Sequence, residues 1–136
     1  MKIFALIAAL MLSPLSANMS LAQSAGAVQA EAKLEQYSAE ATDLKALAAQ
    51  GTTVVFFFAT WCPNCVMTLT ELSQNWSKVD PSITLVIADY DTERDLKAEF
   101  GVTYQDTFVL LDAQGNAAKL WNAGGIEGLN ANAGVK

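Results

Sequence analysis

Histidine is absent from this 136-residue chain. That absence excludes His-based general acid–base catalysis, Ser-His and Cys-His nucleophile pairs and His-rich metal sites. Cysteine is scarce. Cys62 and Cys65 are the only two, too few for a tetrahedral all-cysteine zinc site within one chain. Positive charge is also short: eight Lys and Arg stand against 14 Asp and Glu, for a formal net charge of −6. Such a chain has no electrostatic grip on phosphate backbones or anionic lipid surfaces, so nucleic acid is not an expected partner. No metal and no organic cofactor is expected either. Apolar residues, by contrast, make up 52% of the chain, enough to fill the core of one domain and to argue against intrinsic disorder.

The N-terminus carries the longest apolar stretch. Lys2 precedes Ile3 to Leu12, Ser13-Pro14 interrupts the run, and small residues follow. A bilayer-spanning helix needs roughly 20 apolar residues, so this run is too short to cross as a mature helix. It reads as a secretory signal peptide over residues 1–22, cleaved after Ala22, with Ala17 and Ala27 as alternative sites. A retained membrane anchor is the competing reading. The expected division is signal peptide 1–22, a loose lead-in 23–32 and one domain over 33–136, with no stable membrane insertion of the mature chain. Export would deliver the chain to an oxidising compartment, the bacterial periplasm, where disulfides persist.

Along the domain, residues 33–37 are ambiguous between an edge strand and a helical turn. Ser38 is a candidate N-cap for a helix over 39–50, which Gly51 stops. Thr53 to Ala59 (TVVFFFA) is β-branched and aromatic without polar alternation, the mark of a strand buried on both faces. A helical pattern with Val66, Leu69, Leu72 and Trp76 follows and ends at Asp80-Pro81. Ile83 to Ala88 is a second buried strand. Asp91 or Thr92 is expected to cap a short helix ending at Phe100-Gly101. Thr107 to Leu111 is a third strand, returning through the turn Asp112 to Asn116 into Ala117 to Trp121, and a last helix begins near Ile126. The order β-α-β-α-β-α-β-β-α predicts an α/β fold. Its central mixed sheet has parallel middle strands and an antiparallel C-terminal hairpin, with helices on both faces.

Trp61-Cys62-Pro63-Asn64-Cys65 joins the first buried strand to the helix behind it. At a helix start a C-x-x-C span can close into a disulfide. The free N–H groups and the dipole there stabilise a thiolate on Cys62, pulling its pKa below the free value of about 8.5. Pro63 suits the first helical turn because its missing N–H costs nothing there. Cys62 would attack a disulfide and Cys65, one turn on and more buried, would resolve the mixed disulfide. A structural disulfide, half a zinc site or two unrelated thiols are the plainer alternatives. A loop this small, however, constrains the unfolded chain very little.

These residues resemble the thioredoxin-like superfamily, in particular secreted single-domain bacterial members. The segments that carry the likeness are VVFFFATWCPNC, ITLVIADYD, the FGV turn, TFVLLDAQGN and the Gly124-Gly125 region. The resemblance spans residues 33–133. It implies a thioredoxin-like fold, Cys62 as nucleophile, Cys65 as resolving thiol and Trp61 as a platform beside them. Three departures stand out. Many members carry a buried acid six residues before the first cysteine, a position held here by Phe56. Asp106, preceded by Gln105, stands where the family usually has a cis-proline. Without proline a cis bond costs about 3 kcal/mol, so a trans peptide is expected. Asn64 cannot support a thiolate by charge as the histidine of strong oxidants does.

Asp106 could oppose the Cys62 thiolate and make the protein a stronger reductant, act as the missing proton acceptor, or point into solvent as a loop residue. The site set is therefore Cys62 and Cys65, supported by Trp61, Pro63, Asn64, Gln105 and Asp106. The expected function is a secreted thiol–disulfide oxidoreductase. It would act on disulfide-containing exported proteins and be re-reduced by a membrane electron donor. A disulfide-forming oxidase and a non-catalytic binding or chaperone module are the alternatives. Asp89, Asp91, Glu93 and Asp95 read as capping and solvated charge, with a calcium site as the competing idea. Trp76 and Trp121 read as packing residues.

Overall fold

A computed structural model describes residues 30–134. Residues 1–22, expected to be a signal peptide, and most of the expected lead-in lie outside the described residues. The elements are β1 (Lys33–Gln36), α1 (Leu44–Gln50), β2 (Thr52–Phe58), α2 (Pro63–Gln74), a 3-10 turn (Trp76–Lys78), β3 (Ile83–Asp89), α3 (Arg94–Phe100), β4 (Thr107–Leu111), β5 (Ala117–Asn122) and α4 (Gly125–Asn132).

One five-stranded sheet has the order β1-β3-β2-β4-β5. β3 pairs in parallel with β1 and β2, while β4 runs antiparallel to both β2 and β5. Alternation of side chains across β2 explains its unbroken apolar sequence. Val54 and Phe56 face one core with Leu72 of α2 and Ile126 and Leu129 of α4. Val55 and Phe57 face the other core with Ala48 of α1 and Leu96 and Phe100 of α3. Both faces of the sheet are thereby covered by helices, as parallel strands require.

Two helix starts differ from expectation. α1 begins at Leu44, not at residue 39, because local side-chain bonds compete with helix formation before it. Thr42 Oγ1 accepts the Ser38 amide, and Asp43 supplies the cap by accepting from the Ala46 amide at 2.9 Å. α3 begins at Arg94 after Glu93, which makes no side-chain cap bond. The Asp89 carboxylate instead accepts the amides of Asp91 and Thr92 and shapes the turn before the helix. At the other end, Gly101 takes the left-handed conformation (φ 69°) that closes α3. The 33–37 ambiguity resolves as strand, held to β3 in parallel register.

Candidate active site

The chain leaves β2 at Phe58, turns through Ala59 to Trp61 and enters α2 at Pro63. Cys62 is the N-cap of α2, and its Sγ accepts the Cys65 amide at 3.2 Å. Pro63 occupies the first helical position. The two cysteines are joined as a disulfide with a Cα–Cα separation of 5.2 Å. Cys62 retains 3% of its surface and Cys65 none, so the second sulfur is the more enclosed. Pro63 and Asn64 are exposed at the rim.

Below the disulfide the core is aromatic. Phe56, Phe108 and Trp121 form a stacked column, with centroid separations of 4.3 Å and 5.4 Å and ring planes within 15° and 6°. Phe56 and Phe108 belong to the same buried cluster as Cys65. The buried Trp121 Nε1 has no hydrogen-bond partner among the described residues, a cost of about 1–3 kcal/mol that the stack must offset.

Trp61 is 58% exposed, yet its ring is anchored. Its Nε1 donates to Asp91 Oδ2 at 2.9 Å, and it meets the edge of Tyr90 at 6.5 Å. Tyr90 is itself covered by the Lys97 ammonium, 3.7 Å from its centroid. The acidic segment after β3 thus shapes a turn through Asp89 and holds the motif tryptophan through Asp91.

Asp106 does not point into solvent. It is 3% exposed and sits in the left-handed region at φ 59°, uncommon for a residue with a Cβ. The described residues contain no cis peptide bond. Backbone bonds lock this conformation. The Asp106 amide donates to the Phe57 carbonyl at 3.1 Å, and its own carbonyl accepts from the Ala123 amide at 3.3 Å. Thr68 Oγ1, one turn beyond Cys65 on α2, donates to Asp106 Oδ1 at 3.3 Å. Burial pushes the Asp106 carboxyl above the ordinary value, and the Thr68 bond partly opposes that rise. Gln105 is half-buried, and its carbonyl accepts from Asn122 Nδ2 at 3.4 Å.

Asn64, Thr68, Glu71 and Asp106 meet Ala123, Gly124 and Gly125 around a cleft of about 230 Å³. Thr68, Glu71, Asn122 and the 123–125 loop were not singled out for the site by their sequence. The available signal was spacing: Thr68 stands three residues after Cys65, on the same side of the helix. Nothing local in the sequence could bring residues 122–125 to α2: the pairing of β5 with β4, the Ala123–Asp106 backbone bond and the packing of α4 against α2 do so together.

The model of the thioredoxin family matches residues 32–133. Thioredoxin NaTrxh from Nicotiana alata is 26% identical, with TM-score 0.59, covering 75% of this chain and 90% of its own. Chloroplastic thioredoxin z is also 26% identical, with TM-score 0.58 and coverage of 75% and 92%. Trxlp from Edwardsiella tarda EIB202 shares the fold at 23% identity and TM-score 0.56, with coverage of 75% and 96%. A search of curated proteins found no match.

Proposed function

Since this chain belongs to the thioredoxin family and is a thiol–disulfide oxidoreductase, we propose that it works as a reductant or exchanger of disulfides in exported proteins. The N-terminal apolar run serves as its export signal, the periplasm is its compartment, and a membrane electron donor restores its dithiol.

In the reduced enzyme the α2 N-terminus and the Cys65 amide stabilise a thiolate on Cys62. That thiolate attacks a client disulfide, forms the mixed disulfide and releases the first client sulfur as a thiolate. Cys65 then loses its proton and attacks Cys62 Sγ. The enzyme disulfide forms and the second client sulfur leaves. Two electrons pass from the enzyme to the client, and the two client sulfurs take up two protons. With no histidine in the chain, we assign receipt of the Cys65 proton to Asp106, which bonds Thr68 one turn beyond Cys65, with water as the relay.

The observation that carries the reducing direction is the buried Asp106 carboxyl beside α2. Negative charge there opposes the Cys62 thiolate, and Asn64 contributes no compensating cation. A disfavoured thiolate form favours the disulfide and lowers the reduction potential. Equilibration of the protein with defined thiol–disulfide buffers tests this. We expect a potential near or below the thioredoxin figure of about −270 mV, whereas a value near about −120 mV would mark an oxidase.

A further inference from the structure

We infer that the cleft beside the redox pair selects clients carrying a lysine or arginine side chain close to the reacting disulfide, with Glu71 as the anion that receives it. The inference rests on the thiol–disulfide exchange proposed above and names the client chemistry that the same site prefers.

The cleft begins at Asn64, between the two cysteines, so a peptide engaged on Cys62 lies at its mouth. Its lining contains two carboxylates, Glu71 and Asp106, and no cation. Glu71 is exposed on α2, two turns after Pro63. Its carboxylate lies directly over the backbone of Gly125, so close that a Cβ at Gly125 would collide with it. This contact seats the charge on the wall of the cleft. Asp106 supplies an independent observation. It is 97% buried, it lines the cleft, and only its Oδ1 is engaged, by Thr68, leaving Oδ2 without a hydrogen-bond donor among the described residues. A client ammonium or guanidinium entering the cleft meets an anion on the wall and an unengaged carboxyl oxygen in the lining. A client carboxylate there meets repulsion from both. Met67, 66% exposed on the cleft edge, offers apolar surface to the stem of a long cationic side chain.

The test is the rate at which the dithiol-reduced protein reduces two disulfide-linked peptides that differ only in a Lys or a Glu two residues from the cysteine. An exposed ion pair is worth a factor of up to about five, and exchanging attraction for repulsion gives a Lys-to-Glu rate ratio of about tenfold at low salt. That ratio should shrink towards one in high salt. Glu71→Gln should reduce it to about threefold or less, while Glu99→Gln, an equal change of net charge on α3, should leave it in place. A ratio near one in the parent protein, or equal losses in both variants, overturns the inference and leaves the exchange activity standing. Failure to reduce either peptide would instead overturn the exchange reading on which it depends.

Discussion

Asp106 combines a left-handed backbone (φ 59°) with a buried carboxyl group, and each condition costs free energy. Asparagine would meet both more cheaply. It tolerates the same conformation, can still accept from Thr68 and carries no charge. The sign of the pH dependence follows from the direction of the shift. The folded-state pKa of Asp106 lies above the ordinary 3.8, so between the two values the native state binds more protons than the unfolded chain. Its contribution is fully present below the unfolded value and is lost as pH rises through the folded one. Asp106→Asn should therefore be more stable than the parent above that interval, with a flatter stability–pH curve, as read by urea denaturation across pH. Parallel curves for the two proteins would show that the carboxyl is solvated. The family resemblance marks Asp106 by its place in the chain, while the sequence leaves its orientation open. Whether a loop carboxylate is buried depends on Thr68 and on the 122–125 segment, both remote in sequence.

At the scale of elements, α2 and α4 share the work of building the site. α2 carries the cysteines at its start and Thr68 and Glu71 along its length, while the 123–125 loop feeding α4 closes the far wall. Gly125 is where the two meet, at φ 54° with Glu71 against it. Gly125→Ala introduces both left-handed strain and a collision, and should cost about 1–2 kcal/mol in denaturant titration. Relieving the collision with Glu71→Ala in the same chain should recover only part of that loss, because the backbone strain remains. Full recovery would assign the cost to the collision alone. The helix limits were harder to read than the strands for a physical reason. β2 and β3 are marked by continuous apolar runs, whereas the starts of α1 and α3 depend on which of several adjacent Ser, Thr, Asp and Glu side chains captures the free amides.

For the molecule as a whole, the cycle between disulfide and dithiol should be carried entirely by one pair. Cys62→Ser should abolish reduction of client disulfides. Cys65→Ser should accumulate mixed disulfides with client proteins, visible on non-reducing gels and released by dithiothreitol. Full turnover in either variant would exclude the mechanism. The sequence by itself determined the element order, the two-faced burial of β2, the position of the cysteine pair at a helix start and the absence of any histidine to serve it. These follow from local periodicity and residue chemistry, which neighbouring residues carry on their own. The tertiary structure decided that Asp106 is buried, that Asp91 holds Trp61, that an aromatic column lies beneath the disulfide, and that Glu71 and Gly125 frame a cleft. Each of these joins residues from separate elements. Their meeting is set by how the helices and strands pack, which no local stretch of the chain encodes.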